Sequence, residues 1–209
     1  MTNEQLEIPG YTLRRKDRII ESHGGVSIYI REDIKFNRRH DLEVDGCEFL
    51  WIEIFVPKSK PFLVCSAYRP PDNSRYLDTN FVQKFNNMLD NISSENKETI
   101  MIGDFNCDYK VPRDHIDMKA LVKLQGYSQL INDYTRITKN SRTCIDLCYT
   151  TNKSNIADTL IHNNSLSDHC MIGIIRKMNC KRYAAKSIKA RDYSKYNKDN
   201  VKMGTLLKY

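Results

Sequence analysis

The run Phe62-Leu63-Val64-Cys65-Ser66-Ala67-Tyr68 constrains the fold of this chain more than any other stretch. It is seven residues long and mostly apolar, with Pro57 and Pro61 before it and Pro70-Pro71 after it. A run of that length between breakers reads as a strand buried on both faces. Further strand-like runs surround it. Residues 25–30 open from the Gly24-Gly25 turn, and 47–55 alternate loosely, with Phe49, Trp51 and Ile52 among charged residues. Residues 99–102, 144–150, 156–161 and 170–175 complete the strands. Two stretches change period. In 80–92, Phe81, Phe85, Leu89 and Ile92 mark one face of a helix, with Asp78 or Thr79 to cap it. In 114–125, Ile116, Ala120, Leu121 and Leu124 are expected to face inward, and Gly126 supplies a stop. Many strands with two interspersed helices predict a layered α/β domain spanning about residues 11–177.

Composition narrows the class. With 209 residues, 40% hydrophobic and 28% charged, the chain has one globular domain's worth of material and is not wholly disordered. No apolar run reaches the length of a membrane span, and the first residues lack the basic and apolar regions of a secretory signal. The seven cysteines form no C-x-x-C pair and no zinc spacing, so the expectation is a reduced, intracellular chain, nuclear or cytoplasmic and not secreted. Charge is uneven. Residues 176–209 hold 11 Lys/Arg and 2 Asp/Glu, a balance of +9, whereas the preceding 175 residues hold 22 and 24, a balance of −2. The tail, 178–209, reads either as a solvated linker or as a segment that tracks a phosphate backbone, with Tyr183, Tyr193 and Tyr196 interleaved.

Several short motifs carry chemistry. Gly103-Asp104-Phe105-Asn106 ends a strand with a carboxylate and a carboxamide two residues apart, able to hold a water, a metal or a phosphate oxygen. The same residues also make ordinary turns. Asp146 is an acid inside an apolar strand and needs a partner, either a histidine or a structural salt bridge. In Ser167-Asp168-His169, neighbouring side chains point opposite ways, so Asp168 and His169 have separate partners. Tyr68-Arg69-Pro70-Pro71 places a hydroxyl and a guanidinium at a strand end, within reach of a phosphate or serving as a core ring with a wet tip.

Gly24-Gly25-Val26, Tyr68-Arg69-Pro70-Pro71, Gly103-Asp104-Phe105-Asn106, Thr135-Arg136, Ser141-Arg142-Thr143-Cys144-Ile145-Asp146 and Ser167-Asp168-His169 follow one another in that order. In this order the chain resembles the endonuclease/exonuclease/phosphatase superfamily, and within it the apurinic-endonuclease-like domain of non-LTR (LINE-type) retrotransposons. The resemblance implies a four-layer α/β sandwich and Mg²⁺-dependent hydrolysis of a phosphodiester in double-stranded DNA, with Mn²⁺ as a substitute ion. It implies that Asp104 deprotonates the attacking water and Asn106 positions it. It further implies that His169 hydrogen-bonds the phosphate while Asp146 fixes its ring, that Asp168 belongs to the metal side, and that Tyr68 stabilises developing charge. Arg69, Ser141, Thr143 and Ser167 would lie near the phosphate or DNA. A non-catalytic nucleic-acid-binding fragment and a lipid or inositol phosphoesterase are the competing readings.

In the family, a strand bearing an active-site Asn and a strand ending in a metal-ligating Glu precede the segment with which this chain begins. Glu4 and Glu7 lie in the loop before Tyr11 and are not expected to replace that Glu. The expectation is therefore a chain lacking the opening strands, with weak Mg²⁺ binding, impaired catalysis and an uncovered sheet edge.

Overall fold

The structure, a computed structural model, describes residues 3–18, 24–163 and 167–178. The basic tail beyond residue 178 lies outside the described residues. The elements run β1 (Tyr11–Lys16), β2 (Val26–Arg31), β3 (Lys35–Arg38), β4 (Glu48–Phe55), β5 (Phe62–Tyr68), α1 (Phe81–Ser94) and β6 (Glu98–Asp104). They continue as α2 (Ile116–Leu124), β7 (Ser128–Gln129), β8 (Arg136–Ile137), β9 (Arg142–Thr143), β10 (Asp146–Thr150), β11 (Ile156–His162) and β12 (Met171–Arg176).

A six-stranded sheet in the order β3-β4-β5-β6-β10-β7 forms the centre. Its pairs are antiparallel except β5 with β6, which α1 connects as a parallel crossover. Three two-stranded ribbons accompany it, β1–β2, β8–β9 and β11–β12. The α/β architecture expected from the mixed periodicity is the one observed.

Strand alternation explains how the two faces are used. On one face Phe49 stacks on Phe85 at 5.7 Å between ring centroids, and Trp51, Leu63, Cys65, Met101 and Leu147 join the same buried core. The expected helical face of α1 is the buried one, since Phe81, Phe85, Leu89 and Ile92 are all buried, together with Met88. The opposite face carries Phe62, Val64, Ile100 and Ile102, and the ribbons cover it. Arg176 of β12 lies 4.0 Å over the Phe62 ring and hydrogen-bonds Glu98 through Nε and Nη2, each at 2.8 Å. The β1–β2 ribbon is held by Lys16 Nζ, which donates to the Val44 carbonyl at 3.1 Å, and by Arg38, which donates to the Arg15 carbonyl at 3.0 Å. Both faces of β5 are thereby shielded, as its composition required.

Helix α2 corrects one expectation. Met118 and Val122 face the core, whereas Ile116, Ala120 and Leu124 are exposed and Leu121 is half-buried. The nine-residue helix carries two apolar stripes, and periodicity alone cannot choose between them. Packing beside Tyr127 and the main core selects the Met118 stripe. Leu160, Ile161, Met171 and Ile175 of the β11–β12 ribbon also remain exposed. Among the described residues the six cysteines are free and buried, and no helix is long and apolar enough to cross a membrane.

Candidate active site

Strand register builds the site. Glu48 of β4 lies opposite Tyr68 of β5, Tyr68 opposite Asp104 of β6, and Asp104 opposite Asp146 of β10. Residues paired across a ladder share a face. Four polar side chains, dispersed in sequence, therefore form one row across the end of an otherwise apolar sheet.

Asp104 owes its position to its neighbours. A Cβ at Gly103 would overlap the Ala67 carbonyl of β5, so only glycine lets the two strands approach this closely just before the acid. Phe105 and Cys107 are fully buried, and Phe105 meets Tyr149 edge-on at 5.2 Å. Between these anchors Asn106 takes a left-handed conformation, φ 45°, which asparagine tolerates better than most residues. Its backbone N–H donates to Asp104 Oδ1 at 2.8 Å, and its Nδ2 donates to the Arg69 carbonyl at 2.9 Å. The same Nδ2 lies 3.3 Å from Asp104 Oδ2. The carboxylate and carboxamide are thus brought together by a turn rather than by alternation along a strand. Burial, reinforced by the nearby negative charge of Asp146, pushes the Asp104 carboxyl up to about 6.

His169 Nδ1 lies 2.9 Å from Asp146 Oδ2 and 3.1 Å from Oδ1. An ionised carboxylate only accepts, so Nδ1 carries the proton in this pair. The fully buried Thr135 fixes the strand beneath, its hydroxyl accepting from the backbone N–H of Ile145 at 3.1 Å and of Asp146 at 2.9 Å. Asp104, Asp146 and His169 each offer a donor atom within 4.8 Å of the others, an arrangement able to hold a metal ion. Two carboxylates that repel one another are electrostatically suited to a divalent cation.

The remaining candidates are placed differently. Asp168, 42% exposed at its side chain, accepts from Arg136 Nε at 2.7 Å, and this partner holds its carboxyl below the usual range. Its carboxylate stands outside the three-residue group. Arg69 is buried, paired with Asp72 and set 5.3 Å over the Phe81 ring, so its charge is committed within the fold. Ser167 Oγ accepts from the His169 backbone N–H at 3.1 Å, which shapes the turn presenting the imidazole. Thr143 lies on β9 opposite Arg136, and the Ser141 hydroxyl lies 2.8 Å from that of Thr138 in the β8–β9 turn. A second group, Cys107, Asp114 and His115, also has donor atoms within 4.8 Å of one another. His115 Nδ1 is 2.8 Å from Asp114 and its Nε2 is 3.1 Å from Asp72, which ties the loop after β6 to the partner of Arg69.

Sequence reasoning assigned no role to Thr135, Arg136 or Glu48. The first two stand within an ordered motif, which was their signal. Glu48 shows only as an acid at the start of a buried strand.

The sequence profile of the endonuclease/exonuclease/phosphatase family matches residues 5–169. Among solved structures the chain is similar to the endonuclease domain of TRAS1, a telomere-specific non-LTR retrotransposon, at 16% identity and a TM-score of 0.64, covering 81% of this chain and 80% of that one. It is similar to the 3′ phosphatase NExo from Neisseria, bound to product DNA hairpin, at 13% identity and a TM-score of 0.59, covering 83% and 85%. It is also similar to the catalytic domain of APE2 from Xenopus laevis, at 14% identity and a TM-score of 0.59, covering 84% and 80%. Comparison with curated proteins gives no significant match. At these identities the likeness lies in the fold, and that fold is the one the ordered motifs implied.

Proposed function

The chain belongs to the endonuclease/exonuclease/phosphatase family, and from that premise we propose that it is a divalent-metal-dependent phosphodiester hydrolase acting on double-stranded DNA, of the kind found in non-LTR retrotransposons. The observation that carries the proposal is the joining of Tyr68, Asp104, Asn106, Asp146 and His169 at one sheet end, although 101 positions separate the first from the last. The likeness to a retrotransposon endonuclease domain and to a phosphatase bound to a DNA hairpin supports the substrate class.

Hydrolysis of a phosphodiester needs a water deprotonated in line, and donors for the charge gathering on the phosphoryl oxygens. Asp104, held near 6 by burial, is ionised at neutral pH yet basic enough to take a proton from water. Asn106, fixed by its left-handed turn, orients that water. His169, with Nδ1 committed to Asp146, has Nε2 left to donate to a non-bridging oxygen. The Tyr68 hydroxyl, with its pKa raised by burial and then by the Asp104 charge, stays protonated and donates to the same group. Of the three-residue group, the carboxylates of Asp104 and Asp146 would hold a divalent cation, for which Mg²⁺ suits the oxygen ligands, and His169 is left for the phosphate. Such an ion supplies Lewis-acid neutralisation of phosphate charge.

The test is nicking of supercoiled plasmid by the purified chain in Mg²⁺. Conversion to open circles that stops with EDTA and with His169→Ala is expected. Release of phosphate from a soluble inositol phosphate, without nicking, would replace the DNA reading with a phosphoesterase. Salt-sensitive DNA binding without cleavage would leave a binding module.

A further inference from the structure

The Gly24-Gly25 turn and the buried Glu48 have no role in the chemistry above, yet they meet beside it. We infer that Arg18 and Glu48 are positioning residues for Tyr68, and that the Gly24-Gly25 turn closes around Arg18 to hold it there. The inference rests on the reading of Tyr68 as a phosphate donor.

Glu48 stands directly opposite Tyr68 in the polar row. Its Oε1 accepts from Arg18 Nε at 2.8 Å and from Nη2 at 2.5 Å, while its Oε2 accepts the backbone N–H of Gly25. Both side chains are nearly enclosed, Arg18 at 13% and Glu48 at 12% exposure. The guanidinium lies 4.1 Å over the Tyr76 ring, a cation–π contact that fixes its plane. The glycines leave it room. A Cβ at Gly24 would overlap the Arg18 guanidinium, and one at Gly25 would lie 2.7 Å from the Lys16 carbonyl. Both glycines are also at positive φ, +100° and +93°.

Arg18, gripped by Glu48, is thereby set beside the cross-strand neighbour Tyr68, near enough for its charge to bear on the phenol. A guanidinium has donors only, so toward Tyr68 it can offer a proton to the phenolic oxygen and take none from it. The hydroxyl's own proton is then not used by Arg18 and remains for an acceptor in the site. An ionised Glu48 keeps Arg18 from acting as a free cation, and its carboxylate grips the fork so that the remaining donors have one direction. Lysine, a point charge on a flexible stem, cannot reproduce that geometry.

A double-mutant cycle on nicking tests the inference, using Arg18→Ala, Tyr68→Phe and the combination, with Arg18→Lys and Glu48→Gln as variants closer in shape. Arg18→Ala is expected to lower kcat about 10–100-fold with little change in KM, and to add nothing in the Tyr68→Phe background. Arg18→Lys should behave like Arg18→Ala. A second arm needs no activity: protein labelled with ¹³Cζ-tyrosine, the Tyr68 resonance assigned by its loss in Tyr68→Phe. That resonance should move in Arg18→Ala, Arg18→Lys and Glu48→Gln, and stay in place in the exposed control Arg31→Ala. Should Arg18→Ala lose its cooperative melt, the lysine and glutamine variants decide. Multiplicative losses in the cycle, or an unmoved Tyr68 resonance, would overturn the inference. If the wild-type chain nicks nothing, the functional reading fails, and the resonance arm still decides whether Arg18 holds Tyr68.

Discussion

Replacing Asp104 by Asn should abolish hydrolysis and at the same time stabilise the fold. In the folded chain the Asp104 carboxyl is pushed up to about 6, from its ordinary 3.8, by burial and by the Asp146 charge. The folded state therefore holds this proton more tightly than the unfolded chain. Stability falls as pH rises from about 4 to about 6, and above 6 the full cost is present. A difference of 2.2 pKa units corresponds to about 3 kcal/mol at about 1.4 kcal/mol per unit. Water on the open side of the group screens part of this, leaving about 1.5 kcal/mol. Asparagine does not titrate, and its carbonyl oxygen can still accept the Asn106 N–H. In EDTA, Asp104→Asn should melt about 3–6 °C above wild type at pH 8, as expected for a chain of this size. The gain should shrink to about a third of that at pH 4.5. The assay is calorimetry or circular dichroism of both proteins at the two pH values. A loss of stability at pH 8, or a gain independent of pH, would refute a desolvated and repelled carboxylate at this position.

Three further outcomes are expected. His169→Ala should lower kcat about 10²–10⁴-fold in the nicking assay with an unchanged melt, whereas Thr135→Val should lower both activity and Tm because two backbone N–H groups behind Asp146 lose their acceptor. Met118→Ala should cost about 2–5 kcal/mol in urea unfolding and Leu124→Ala less than about 0.5 kcal/mol; the reverse order would restore the helix face expected from the sequence. Leu160→Lys with Ile175→Glu on the exposed ribbon should raise solubility and reduce self-association in light scattering, with the melt changed little.

The sequence by itself determined the kind and order of most of the longer elements, because the signals involved are local. Strands β1 and β3 and the two-residue strands β7, β8 and β9 carry no such pattern. A proline-bracketed apolar heptapeptide became β5, the spacing of Phe81, Phe85, Leu89 and Ile92 became the buried face of α1, and Gly126 at φ +78° ended α2's segment. The ordered motifs also marked Tyr68, Asp104, Asn106, Asp146 and His169 as candidates for the site. What only the tertiary structure decided is which of them meet, and how. The row Glu48–Tyr68–Asp104–Asp146 depends on the register of four strands, and no local pattern encodes a pairing across such distances. The commitment of Arg69 to Asp72 and of Asp168 to Arg136 follows from burial and geometry that a motif does not carry. The face of α2 was likewise set from outside, since a short helix with two apolar stripes is turned by the core it meets. Periodicity is a property of neighbours along the chain, whereas an active site is a property of neighbours in space.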